Sequence, residues 1–391
     1  METAFWICLF IVFYTYFGYG IVLLAILKLK RLTGSKRPSP QLPDDSHLPE
    51  VTLMVCAYNE QDVVDMKIEN THQLDYPKDK LHLLWVTDGS NDLTNERLAA
   101  YPDVEVLFQP QRQGKTAALN RGISHAQTSI VIMTDANTCI NTGAIKEIVR
   151  LFQDVKVGCV AGEKRVMQRS DDQMAAKGEG IYWKYESTLK RWDDELYSAM
   201  GAAGELCAIR KDLYHPMPSD TLLDDFIMSM SILPKGYRIA YTTEAYAMEY
   251  GSADITEEGK RKKRIAAGGL QSIWRLRSLL NVFKHPLLTF QYVSHRVLRW
   301  SITPFALVGV LLLNVLLVLA HADSIYTIIW LLQLLFYAAA FAGYLLEKKG
   351  MKVTLCYVAY YFVFMNTNVF SGIRYLTRHK NNGAWEKARR G

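Results

Sequence analysis

Apolar runs of two lengths divide this chain. Positions 4–27 carry no charged side chain, and at about 1.5 Å per residue a helix of that length crosses a hydrocarbon core of roughly 30 Å. Nothing basic precedes the run and no small-residue cleavage site follows it, so it reads as a retained helix and not a cleaved leader. Lys28, Lys30 and Arg31 come directly after it, which by the positive-inside rule leaves the N-terminus outside and the next domain in the cytoplasm. Three more long runs occupy 302–320, 324–346 and 353–373. The link from His321 to Ser324 has no Lys or Arg and suits the outside, whereas Lys348, Lys349 and Lys352 suit the inside. The last run holds Asn366, Thr367, Asn368, Ser371 and Gly372, which are costly against lipid. A full span there would also carry Arg374, Arg378, Lys380, Lys387, Arg389 and Arg390 outside, against the rule. It is either a span with an atypical tail or a re-entrant segment.

The short runs lie between these. After a linker with Gly34, Pro38, Pro40, Pro43 and Pro49, apolar stretches occur at 51–58, 81–87, 104–108, 129–134 and 157–161. Runs of this length without alternation predict strands buried on both faces, as in a parallel sheet covered by helices. The intervals leave room for crossover helices. At 284–300 apolar residues alternate with His285, His295, Arg296 and Arg299, which fits a helix in the headgroup plane or one packed on the central domain. The expected organisation is a membrane helix over 1–30, a linker over 31–49, an α/β domain over 50–283, an interfacial helix over 284–300, membrane helices over 301–373 and a basic tail over 374–391.

Composition adds exclusions. Lys and Arg number 45 against 39 Asp and Glu, a formal charge of +6 that is too small and too localised to argue for nucleic acid. Six scattered cysteines without a C-x-x-C pair read as reduced thiols, not bridges or a zinc site.

The candidate chemistry sits where the strands end. The first run closes on Tyr58-Asn59-Glu60, the second on Asp88-Gly89-Ser90-Asn91-Asp92 and the fourth on Asp135-Ala136-Asn137. Each alone fits a turn or a helix cap. Together they favour one crevice, because open α/β sheets bind ligands beyond the carboxyl ends of their strands. Gly114-Lys115 opens a helix, a setting that attracts phosphate. A P-loop would need glycine at position 109, which is Gln109. Asp135 and Asn137 offer oxygen ligands to a hard cation. Asp224-Asp225 pairs two carboxylates whose pKa values can separate, making one a base. Five cations, 260–264, are either a solvated face near anionic lipid or a clamp for a phosphate leaving group.

These elements, in this order, resemble the membrane-embedded inverting glycosyltransferases of family 2, which include the cellulose, chitin, hyaluronan and poly-N-acetylglucosamine synthases. The resemblance runs over about 51–300 and the flanking spans. It implies a GT-A domain, a Rossmann-like α/β fold, that binds a UDP-sugar, with UDP-Glc or UDP-GlcNAc expected. It places Tyr58, Glu60 and Asp88 at uracil and ribose, and Lys115 near the diphosphate. Asp135 and Asn137 match the family's Asp-x-Asp metal motif with Asn in the second place, so Mg2+ or Mn2+ is implied. Leu223-Asp224-Asp225 matches its Thr-Glu-Asp motif, which gives Asp225 the role of base beside Asp224. Gly201-Ala202-Ala203-Gly204-Glu205 matches the loop near the acceptor, bringing in Gly204 and Glu205. The Gln-x-x-Arg-Trp motif appears as Arg261-Lys262-Lys263-Arg264-Ile265 and keeps only Arg264. Ile265 cannot stack on an acceptor sugar as the family's Trp does, which leaves Trp183 or Trp274 for that task.

The implied activity is elongation, and export, of an extracellular polysaccharide by an integral protein of the plasma or inner membrane with its catalytic domain in the cytoplasm. Glycan or lipid-linked acceptors and the bilayer are the expected partners. With so few spans, a channel would need a second copy or an export partner. The rival readings are a transferase of one sugar onto a lipid carrier or glycolipid, and a transporter or receptor with a nucleotide-sensing domain.

Overall fold

A computed structural model describes residues 1–378 apart from 35, 36, 38, 39, 168–173, 251–254, 350 and 352. The tail cations Lys380, Lys387, Arg389 and Arg390, and Lys352 of the inside link, lie outside the described residues.

The first apolar run forms helix α1 (Glu2–Leu32), continuous through a π turn at Tyr14–Gly18. The short runs form strands near their expected bounds: β1 (Val51–Ala57), β2 (Leu81–Asp88), β3 (Val104–Gln109) and β4 (Ile130–Asp135). Beyond them β5 (Cys139–Ile140) is very short, and β6 (Val157–Met167) extends the fifth run. Strands β7 (Leu206–Arg210) and β8 (Arg238–Tyr250) come from segments the sequence reading did not single out. Among the described residues they make one eight-stranded sheet, ordered β3-β2-β1-β4-β7-β6-β8-β5. The expected parallel sheet is its first half, β3-β2-β1-β4. The second half is mixed, since β7 runs against both β4 and β6.

Helices α2 (Val64–His72), α3 (Thr94–Leu98), α4 (Lys115–His125) and α5 (Ala144–Phe152) fill the connections. Strands β1 and β4, at the centre of the sheet, are buried on both faces, as their uninterrupted apolar runs require. Met54, Val86, Val131 and Met133 pack with Leu119 and Ile123 of α4 on one side. Leu53, Ile130 and Ile132 pack on the other with Ile145, Ile148, Val149 and Phe152, an apolar stripe at helical spacing along α5. Gly122 lets α4 approach the sheet: a Cβ there would lie 2.7 Å from Val86 Cγ2 and strike Met54 Sδ.

The remaining helices are α6 (Met174–Leu196), α7 (Asp224–Met230), α8 (Ile255–Arg275), α9 (Pro286–Tyr292), α10 (Leu298–Trp300), α11 (Ile302–Leu319), α12 (Ser324–Lys348) and α13 (Thr354–Arg378). Among the described residues three helices are long and apolar enough to cross a membrane: α1, α11 and α12. Phe5 meets Tyr326 edge to face at 5.5 Å, and Thr15 Oγ1 lies 2.8 Å from Thr303 Oγ1. The second half of α1 packs on the α/β domain, with Tyr19, Leu23 and Leu27 buried against Leu189 and Leu196 of α6.

Two expectations are corrected. The third late run forms α13, which is not among the spanning candidates. Its polar positions meet protein: Tyr16 donates to Asn366 Oδ1 at 2.8 Å, Tyr361 donates to Glu258 Oε1 at 3.1 Å, and Gly372 lies on Ala266 and Ala267 of α8. Of the two readings of 284–300, the structure shows the helix packed on the central domain. His295, Arg296 and Arg299 are all buried there, against carboxylates of α6.

Replacing Gly122 by Leu forces several atoms into the α4–sheet contact. Overpacking of this kind costs about 1–3 kcal/mol, so Gly122→Leu lowers the melting temperature of the detergent-purified protein by several degrees, whereas Gly143→Leu, where a Cβ meets open space, leaves it unchanged.

Candidate active site

The antiparallel pairing of β7 with β4 sets Thr134 opposite Leu206. The segment from Gly201 to Glu205, which enters β7, therefore lies beside Asp135, the last residue of β4. Lys115, at the start of α4, donates to Asp135 Oδ1 at 2.7 Å. A Cβ on Gly204 would sit 3.3 Å from Lys115 Nζ and 3.5 Å from Asp225 Oδ2, so any larger residue would fill the space between them. Asp224 and Asp225 open α7, whose entry is held by α8: Gln271 Oε1 accepts from Leu222 N at 3.0 Å, and Arg275 donates to Asp220 Oδ1 at 2.8 Å. Leu223 packs on Gly268, where a Cβ would come within 2.5 Å.

A cavity of about 190 Å³ opens at this edge of the sheet. It brings together Lys115, Asp135, Trp183, Gly204, Glu205, Asp224, Asp225, Arg261 and Arg264. Tyr58, Glu60, Asp88 and Asn137 are outside its lining. Tyr58 lies under the Arg112 guanidinium at 3.9 Å, and the Glu60 backbone N–H donates to Thr94 at 2.9 Å. Asp88 is buried, accepting from Gln113 N and Gly114 N at 2.9 and 2.6 Å and facing Arg121 at 3.1 Å. Its carboxylate thus shapes the loop before α4. Asn137 follows in a turn past the end of β4, where the alternation of an extended strand no longer puts it on the face of Asp135. Lys67 Nζ supports that turn from below, donating to Thr134 Oγ1 at 2.9 Å and Thr138 O at 2.8 Å. Burial pulls this ammonium down to about 7. Trp274 is exposed, far from any such role.

Charge is arranged by burial and pairing. Burial, together with the neighbouring Asp224 carboxylate, pushes Asp225 up to about 6. Burial alone would lower Lys115, but Asp135, Asp224 and Asp225 hold it well above its ordinary value. Asp224 Oδ2 is buried with no hydrogen-bond partner among the described residues, as is Arg264 Nε. Oxygen donors of this kind fit a hard divalent cation. Glu205 accepts from Lys164 at 2.8 Å and Arg261 at 3.2 Å, and those cations overcome burial to hold it well below the carboxylate range. Glu249 also pairs with Lys164, and Lys164 lies over Trp183 at 4.8 Å.

The sequence reading missed Glu186, Lys190, Arg296, Arg299 and Trp300, which also line the cavity. Glu186 pairs with Arg296 at 2.6 Å and Arg299 at 3.0 Å. Three charges on a short apolar helix just before a span were the signal, since such charges need carboxylate partners when the helix is buried.

The family profile described as "Glycosyltransferase like family 2" matches residues 49–268, more than half of the chain. The chain belongs to the family 2 glycosyltransferases. It is an enzyme of GT-A-like fold with a mixed, Rossmann-type sheet. The chain is 26% identical over 255 residues to the poly-beta-1,6-N-acetyl-D-glucosamine synthase of Staphylococcus aureus (strain MSSA476), an alignment that covers 63% of this chain and 60% of that protein. It thus spans about 60% of the length of that curated relative. Among solved structures, the mannosyltransferase PcManGT from Pyrobaculum calidifontis, in complex with GDP-Man and Mn2+, superposes with a TM-score of 0.69 at 21% identity. That match covers 97% of this glycosyltransferase and 100% of the mannosyltransferase.

Removing one partner of a buried ion network leaves the others uncompensated, at about 3–5 kcal/mol. Glu205→Ala, which leaves Lys164 and Arg261 to share Glu249, with Glu258 at 3.9 Å from Arg261, therefore lowers the melting temperature by several degrees. Glu105→Ala on the exposed His125 pair does so hardly at all.

Proposed function

We propose that this glycosyltransferase transfers a hexose from a nucleotide diphosphate sugar to an acceptor hydroxyl with inversion, using Asp225 as base. The observation that carries this is the raised pKa of Asp225, beside Lys115 and Asp135 in one cavity. A sugar hydroxyl is a weak nucleophile near pH 7, and a carboxylate of pKa about 6 is both ionised there and more basic than an ordinary one. As the hydroxyl oxygen attacks the anomeric carbon, its proton passes to Asp225. The bond from that carbon to the diphosphate breaks on the opposite face, and the electron pair leaves with the nucleotide.

Negative charge grows on the leaving diphosphate, where Lys115 and Arg264 supply compensating charge. Arg261 stands beside them but is committed to Glu205. A Mg2+ or Mn2+ ion held by Asp135, with Asn137 two positions on, would add a Lewis acid at the diphosphate oxygens. Asp224 keeps the pKa of Asp225 high through its like charge. In this reading Tyr58, Glu60 and Asp88 form or support the base and ribose end, and Gly204, Glu205 and Trp183 the acceptor end. The donor is a UDP-sugar, UDP-Glc or UDP-GlcNAc, and the product an elongated extracellular glycan that the enzyme also exports. The likeness to a poly-N-acetylglucosamine synthase supports this. Lys28, Lys30 and Arg31 at the domain end of α1 support a cytoplasmic catalytic domain.

A second reading is transfer of one sugar to a lipid-linked acceptor. The cavity wall favours it: Tyr16 of α1 and Met365, Asn366 and Val369 of α13 line the same space as Asp225.

The test is release of nucleotide by the full chain in lipid nanodiscs, offered UDP-Glc, UDP-GlcNAc and GDP-mannose with Mg2+, Mn2+ or chelator. Release depends on one donor and on metal, and falls at least about 10³-fold in Asp225→Asn with nucleotide binding retained. Because the base acts in its ionised form, the rate falls as pH drops through about 6 and is level above it. Asp224→Asn moves that midpoint to lower pH. Turnover that is indifferent to Asp225→Asn overturns the assignment. A lengthening product supports elongation, and a single organic-soluble product supports the second reading.

A further inference from the structure

The two ends of the cavity carry opposite charge. At the sheet edge, Asp135, Asp224 and Asp225 face Lys115 and Arg264. At the other end, between α6 and α10, three cations face one carboxylate. Lys190, Arg296 and Arg299 are each more than nine-tenths buried and line the cavity, with Glu186 between the two arginines. His295 also contacts Glu186, at 3.3 Å, and turns its other ring nitrogen to Asp193, which is buried with Tyr19 behind the cavity wall.

Lys190 has no ion pair within 4 Å among the described residues, and the ring of Tyr241 lies 5.8 Å from its ammonium. Burial first and then the nearby Arg296 act to lower its pKa, against the smaller opposing pull of the Glu186, Glu205 and Asp225 carboxylates. A buried ammonium without a counterion is costly unless an anion arrives to pair with it. The wall facing this end is Tyr16, Met365, Asn366 and Val369, and Tyr16 belongs to a helix fit to span the bilayer. An anion arriving here therefore has an apolar route beside it.

We infer that this end of the cavity is a subsite for a phosphate group on a membrane lipid that serves as or carries the acceptor, bound by Lys190, Arg296 and Arg299. The inference deepens the lipid-acceptor reading and rests on it. Arginine suits phosphate because its planar fork donates two parallel hydrogen bonds, and Lys190 adds a compact charge. The phosphate takes no part in bond making; it holds the acceptor in place while Asp225 acts on the hydroxyl.

The test is direct binding without donor, by calorimetry on the full chain in a neutral detergent. The probes are farnesyl phosphate, farnesol and inorganic phosphate. Farnesyl phosphate binds at least about tenfold tighter than either of the others. In Lys190→Met that preference falls by about tenfold, while farnesol affinity holds and Lys190→Arg restores the preference. Nucleotide binding by each variant shows that it is folded. Equal affinity for farnesol and farnesyl phosphate overturns the subsite, as does equal loss of both in Lys190→Met. Inorganic phosphate binding as tightly as farnesyl phosphate overturns the lipid assignment. If the phosphate preference is present but no donor is turned over, the transferase reading fails and the subsite stands. If donors are turned over onto neutral acceptors and no phosphate preference exists, the subsite fails and the transferase stands.

Discussion

Thr134 and Leu206 face each other across an antiparallel pair, so the chain enters β7 at the edge of the sheet where β4 leaves it. A fully parallel sheet would bring the residues before β7 to the opposite edge. The reversal sets Gly204 against Lys115 and Asp225 and puts Glu205, through Lys164 and Arg261, in touch with β6 and α8. Pairs within the first half of the sheet supply Asp135 and the start of α4. The loop from Gly201 to Glu205, the paired acids of α7 and the basic motif of α8 are all assembled around the second half. The cavity is the seam between them.

Buried charge is the second organising force. Ion pairs of this kind give little net stability, because desolvation offsets attraction, but they fix geometry through directional hydrogen bonds. Glu205 and Glu249 share Lys164, Glu186 holds two arginines, and Asp193 receives Tyr19, Gln291 and His295. Each cluster ties an element of the α/β domain to another that sequence separates widely. The fold around the cavity is set as much by these clusters as by apolar packing.

Much of this was legible in one dimension. Strands β1, β2 and β4 are largely buried on both faces and so appear as plain apolar runs, and of the polar residues that end the strands Asp135 lines the cavity. Lys115, Asp135, Asp224, Asp225, Glu205 and Arg264 do meet in one cavity. β7 was passed over because its apolar stretch, Leu206 to Ile209, is only four residues long and is followed directly by Arg210 and Lys211. β8 was missed because Thr242, Thr243 and Glu244 break its apolar positions and Glu249, a charged residue, occupies a buried one. The charges of 284–300 were misleading for a different reason. A helix buried by ion pairs and a helix at a membrane surface have the same local pattern, and only the carboxylates of α6, a hundred residues away, separate them. For α13, Asn366 signalled correctly that one face of the helix meets protein, whereas Thr367 is exposed and bonds only its own helix.

Helix α1 is shared property. Its first half packs among α11 and α12, while Tyr19, Leu23 and Leu27 are locked against α6 and Arg31 reaches Glu195. Transmembrane helices adjust to a thinner or thicker bilayer by changing tilt. Here the burial of Tyr19, Leu23 and Leu27 against α6 couples the tilt of α1 to that helix, which carries Glu186, Lys190 and Trp183 into the cavity lining. The thickness of the surrounding membrane thereby bears on the cavity wall, in the way that temperature or ionic strength bears on a soluble protein.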